Sequence, residues 1–161
     1  MAVINVTPGN IAVLSLGNSQ VLAEPDANAA FHIPLLTDVT MTTAPGTVRY
    51  STLDDPASSA FTTSVENEIS FNMLVDDDAF FGNALVTDNT VATNGLWTTS
   101  NSKTEVFFSI AFEGDTNGSG GYYLEGKGFI GGLAPTASVD GAVWLSPGSI
   151  FVNGNLTKQT L

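Results

Sequence analysis

Along residues 63–75 the chain alternates: Val65, Ile69, Phe71, Met73 and Val75 fall on one face, and Glu66, Glu68, Ser70 and Asn72 on the other. A period of two marks an extended strand with one dry and one wet face. Shorter alternations predict further strands at residues 10–16, at Phe31, Ile33 and Leu35, and at residues 39–42, 47–52, 105–112 and 122–130. In 105–112, Val106, Phe108, Ile110 and Phe112 share a face. A last core segment is expected at 142–145, ended by Pro147.

Turn formers punctuate these runs. Pro45-Gly46 predicts a turn, Asp54-Asp55-Pro56 opens a loop, and the Asp115–Gly121 run predicts a hairpin tip. Gly131-Gly132 predicts a bend. Residues 17–30, 87–103 and 150–161 are polar, with little periodicity, and read as loops or arms. One segment reads as helical. Asp76, Asp77 and Asp78 suit a helix N-terminus, and Phe80, Phe81, Ala84 and Leu85 follow at helical spacing. Short strands between turn signals predict a mainly β sandwich or barrel, here in a single domain spanning 1–161 with extended terminal segments.

Charge sharpens this picture. Sixteen acidic residues face four basic ones (Arg49, Lys103, Lys127 and Lys158), for a net charge of −12. Only 12% of residues are charged while 43% are hydrophobic, so this is not an acidic disordered tail. An excess of that sign argues against coating nucleic acid or an anionic membrane. With no cysteine there is no disulfide, thiolate zinc site or cysteine nucleophile. The first residues have no basic segment followed by a long apolar one, so no signal peptide is expected, and no apolar run reaches the length of a membrane span.

Candidate chemistry is sparse. His32, the only histidine, lies between Phe31 and Ile33 without a Gly-x-Ser-x-Gly elbow and reads as structural. Asp76–Asp78 have the oxygen ligands for a hard cation, but helix capping explains them without an ion. Asp115, Asn117 and Gly118 lack the spacing and distal Glu of a calcium loop. Glu66 and Glu68 stand roughly 6.6–7 Å apart on a strand. That separation suits paired-carboxylate hydrolysis, yet both belong to the wet face and read as a solvated acidic stripe. No catalytic residue, cofactor or metal is expected.

The segment Glu105–Phe112, the glycine-rich tip, Tyr122-Tyr123-Leu124-Glu125-Gly126-Lys127-Gly128-Phe129-Ile130, and the run through Pro135 to Ala142-Val143-Trp144-Leu145 form a block. It resembles the C-terminal half of major tail tube proteins of long-tailed bacteriophages. The upstream order also fits: long strand, acidic helix start, short helix. The resemblance covers about residues 47–157.

It implies a two-sheet β-sandwich or barrel-like tail tube fold with one short flanking α-helix. It also implies six-fold rings that stack into a tube, located in the virion tail and assembled in the host cytoplasm. DNA would pass through without specific binding. Tape-measure and tail-end proteins would be the other partners, with no membrane contact. On that basis Glu66 and Glu68, then Glu105, Glu113 and Glu125, become candidates for a lumen-facing acidic lining that repels phosphate. The competing readings are a virion decoration or receptor-binding β domain using Trp97, Tyr122 or Trp144, and a carbohydrate-active enzyme.

Overall fold

A computed structural model describes residues 13–17, 31–51, 59–111, 122–137, 141 and 143–160. Glu113 and the expected tip at Asp115–Gly118 lie outside these residues, as do the Asp54–Pro56 loop and most of residues 17–30.

The fold is mainly β. In chain order the strands are β1 (Val13–Gly17), β2 (Phe31–His32), β3 (Leu36–Tyr50) and β4 (Ser59–Leu74). Helices α1 (Asp77–Phe81) and α2 (Thr90–Asn101) follow. Then come β5 (Glu105–Ala111), β6 (Tyr122–Gly131), β7 (Thr136–Ala137), β8 (Trp144–Val152) and β9 (Thr157–Thr160). Hydrogen bonds link them into one continuous antiparallel sheet ordered β2-β1-β5-β6-β8-β4-β3, with β7 on β8 and β9 on β6.

One sheet face and the two helices enclose the core. Leu14 and Leu16 of β1, Ile69, Phe71 and Met73 of β4, and Val106, Phe108 and Ile110 of β5 are buried there. Ile130 of β6 and Ile150 of β8 join them, with Phe80 of α1 and Val91 and Leu96 of α2. The alternation is thus the packing pattern of the core over Ile69–Met73 and Val106–Ile110, whereas Val65, expected on the dry face, is half exposed, and Phe112 lies outside the described residues.

Three local expectations are corrected. Pro45-Gly46 does not turn the chain: β3 runs through it, and the irregularity is absorbed as a bulge against β4. The segment expected as core at 142–145 is not core, since Val143, Trp144 and Leu145 are each about half exposed, and Pro147 does not end its strand. It falls between the residues of β8 that pair with β7 (Trp144, Leu145) and those that pair with β6 (Ser149–Val152), so on that side its missing N–H interrupts no ladder. Buried Ser146 fills the gap, accepting from Ala134 N and donating to Pro147 O. The segment 150–161 therefore holds the end of β8 and all of β9.

The third correction is α2, a second helix in a stretch that reads as polar loop. Its sequence, TVATNGLWTTSN, is poor in helix formers. Tertiary contacts make up the difference. The Asn89 side chain caps it by accepting from Val91 N (2.9 Å) and Ala92 N (3.4 Å), and its Nδ2 donates to Leu16 O of β1 at 3.0 Å. Val91, Leu96 and Thr99 are buried. The helix kinks at Gly95, whose φ of 77° suits glycine. A side chain there would strike the backbone of Phe81 and Gly82, so this glycine lets α2 close on α1. α1 itself is shorter than expected, ending at Phe81.

Candidate functional site: a carboxylate face and a projecting ribbon

Residues directly opposite one another in antiparallel strands share a face. Glu68 of β4 stands opposite Phe151 of β8, Phe151 opposite Phe129 of β6, and Phe129 opposite Glu105 of β5. One row across four strands thus carries a carboxylate at each end and two aromatic rings between. Glu66 lies two residues from Glu68, and Glu125 four residues from Phe129, both on that face. The sheet gathers four of the five candidate carboxylates on the side away from the core, although they are up to 59 positions apart in sequence (Glu66 to Glu125).

Their surroundings differ. Glu105 accepts from Asn153 Nδ2 at 2.5 Å and pairs with Lys127 Nζ at 3.4 Å. These contacts, Asn153 first, hold its carboxyl below the usual range, against a smaller opposing effect of burial. Glu125 is 8% exposed and accepts from Gln159 Nε2 of β9 at 2.9 Å. Beside it, burial first and the Glu125 charge second push the Tyr123 hydroxyl pKa up. Glu66 and Glu68 take part in no ion pair among the described residues, where Lys127–Glu105 is the one such contact. Glu66 is exposed and Glu68 half-buried, while Lys127 is an exposed cation of the same face.

The other candidates resolve simply. His32 Nδ1 meets Ser15 Oγ at 2.7 Å, tying β2 to β1. Asp76 caps α1 by accepting from Ala79 N at 3.0 Å, and Asp78 accepts from Asn83 Nδ2 at 3.1 Å. No cluster of three metal-ligating side chains occurs among the described residues. A cleft of about 300 Å³ opens where β8 and β9 part along β6, lined in part by Phe107, Glu125, Lys127 and Asn153.

A second feature escapes sequence reading. β8 covers β4 only over Glu68–Leu74, so beyond it β3 and β4 continue as a two-stranded ribbon. Pro45 pairs with Val65 but Thr47 pairs with Thr62: Gly46 faces two residues, Thr63 and Ser64. A Cβ on Gly46 would collide with the Thr63 hydroxyl, so glycine makes room for the bulge. An extra residue reverses the alternation of one strand beyond it. Strict period two puts Phe61 on the core face with Val65 and Ile69. The bulge instead places it on the carboxylate face, opposite Val48 and 6.1 Å from the Tyr50 ring. Val48, Tyr50 and Phe61 are 43%, 52% and 52% exposed. The outer edge of β3, 15 residues long, pairs with no strand among the described residues.

No family model and no curated protein matches the chain. Solved structures do. A sheath/tube terminator of an extracellular contractile injection system, PVC, in its extended state, superposes with a TM-score of 0.62 at 12% identity, covering 98% of this chain and 99% of the other. The tube-terminating cap of the anti-feeding prophage gives 0.62 at 13%, covering 100% and 95%. The tail of an empty GTA particle gives 0.61 at 12%, covering 96% and 99%. The chain has the fold of phage-tail-like tube and terminator components. That fold is shared with contractile systems, so it is not specific to the long-tailed phages that the sequence resembles.

Proposed function

We propose that the chain is a structural, non-enzymatic virion protein that self-assembles into stacked six-fold rings forming a tail tube. The observation that carries this reading is the long β3 edge, which pairs with no further strand among the described residues, on a fold shared end to end with tube-capping proteins. An open edge invites another chain, and a head-to-tail contact that closes a ring satisfies every edge in turn. The ribbon adds an exposed apolar group suited to a neighbouring subunit. Glu66 and Glu68 line the conduit, with Glu105 and Glu125 on the same sheet face. Their charge keeps phosphate from adhering within the ~8–10 Å reach of screened electrostatics.

On this reading the protein resides in the virion tail after assembly in the host cytoplasm. It meets tape-measure and tail-end proteins and lets DNA pass. Negative-stain microscopy of the purified chain tests it: stacked rings or tubes are expected. Discrete monomers or trimers at all concentrations would overturn it in favour of a decoration or receptor-binding domain. The lumen assignment has its own test. Glu66→Lys with Glu68→Lys should leave the fold intact and make assembled tubes retain duplex DNA. Mutant tubes without DNA affinity and with normal ejection would remove those carboxylates from the lining.

A further inference from the structure

Repelling phosphate needs carboxylates; it does not need aromatic rings. Yet Phe151 and Phe129 occupy the middle of the row between Glu68 and Glu105, and Phe151 is 51% exposed. The Phe151 ring lies over Gly131, where a Cβ would come within 2.8 Å of ring carbon Cε2. Glycine at 131 therefore lets the ring lie against the sheet while one side stays open.

We infer that this face is a docking surface for a cationic amphipathic helix of a partner polypeptide. The geometry fits. Three inter-strand spacings separate Glu68 from Glu105, about 14 Å, and a helix with its side chains is about 10–12 Å across. Laid over the two rings, such a helix puts apolar residues on Phe151 and Phe129 and lysines or arginines toward Glu66 and Glu68 on one flank. On the other flank Glu105 is already engaged by Lys127 and Asn153. The cleft beyond it is lined by Lys127 as well as Glu125, so the cationic residues of the helix are drawn to the Glu66 and Glu68 flank. Charge complementarity selects the partner. The chain carries −12, and Glu66 and Glu68, without an ion pair among the described residues, border an apolar centre, which disfavours duplex DNA and favours a basic, apolar-striped polypeptide. The inference goes beyond the tube reading and does not require rings to form.

The test is fluorescence anisotropy of the full-length protein with a labelled synthetic helix of lysine and leucine. Oligolysine of equal charge and a duplex DNA serve as the other probes. The lysine–leucine helix is expected to bind at least tenfold more tightly than oligolysine, and DNA not measurably. Phe151→Ser should weaken the helix at least tenfold, and Glu66→Gln with Glu68→Gln should flatten the salt dependence of binding. Should Phe151→Ser fail to fold by circular dichroism, Glu66→Lys with Glu68→Lys takes its place and is expected to abolish helix binding. Equal affinity for oligolysine, undiminished binding by the folded variants, or binding of DNA as tight as that of the helix overturns the inference. Microscopy of the same samples reports ring formation separately, so loss of one result leaves the other standing.

Discussion

Along Leu36–Thr42 and Glu68–Leu74, the β3–β4 pair lies beside β8 and the core; along Thr43–Tyr50 and Ser59–Asn67 the same two strands pair only with each other among the described residues. In the inner half Ile69, Phe71 and Met73 are at most 1% exposed. In the outer half Val48, Tyr50 and Phe61 are near half exposed. Apolar side chains at comparable positions of one hairpin thus do different work. The inner ones stabilise the fold by leaving water. The outer ones contribute little to the isolated subunit and keep their apolar area for a second surface. A two-stranded ribbon alone is marginal in water, so its persistence depends on the anchored half.

The largest expected effect separates the halves by stability. Phe71→Ala should cost about 3–5 kcal/mol, since the ring is buried and packed against Gly148. Phe61→Ala should change stability by no more than about 0.5 kcal/mol. Urea denaturation measures both. Only the second variant should be stably folded yet defective in forming rings; comparable losses of stability would erase the distinction.

Next in size is the α2 cap. Asn89→Ala removes the acceptor for Val91 N and Ala92 N, and also the donor to Leu16 O, which should destabilise by about 1–3 kcal/mol. Hydrogen exchange at Val91 and Ala92 should rise more than exchange in β4.

A finer probe alters the bulge. One residue inserted after Gly46 restores one-to-one pairing with Thr63 and Ser64 and turns Val48, Tyr50 and Phe61 to the core-side face. Deleting Ser64 also restores pairing but leaves those three where they are. The folded core should survive both changes, with a thermal midpoint close to wild type. Ring formation should be lost with the insertion and kept with the deletion. Loss in both, or in neither, means that the facing of the ribbon is not what matters.

The smallest effect concerns Glu105. Its folded pKa is depressed by Asn153 and Lys127, so its stabilisation is present above the unfolded pKa and lost as pH falls through the folded value. Glu105→Gln should lose this small stabilisation at neutral pH and converge on wild type as pH falls through the folded value, so its stability is less sensitive to pH across that acidic window. Chemical denaturation at stepped pH values reads the difference.

Much of this was visible in one dimension. Of the residues that the alternation in 63–75 and 105–112 names as core, Ile69, Phe71, Met73, Val106, Phe108 and Ile110 are buried and Val75 is partly so, while Val65 is half exposed because β8 does not reach it. Asp76 was legible as a cap because its carboxylate sits where α1 has unpaired N–H groups. α2 was not legible, because Thr, Asn and Gly carry weak propensity and the helix is held by Asn89 on β1 and by Val91 and Leu96 in the core. Nor was the continuation of β8, since a proline's effect depends on which of its neighbours needs an N–H.

The sequence by itself determined a β-rich chain with one dry and one wet face per strand, an acidic excess, and a wet face on β4 bearing Glu66 and Glu68. Periodicity and charge are local properties, readable wherever they occur. Tertiary structure alone decided that Glu68 and Glu105 flank Phe151 and Phe129 in one row, because cross-strand register joins residues far apart in the chain. It also decided that Phe61 leaves the core side, because a single extra residue in β4 reverses an alternation that the sequence continues unbroken.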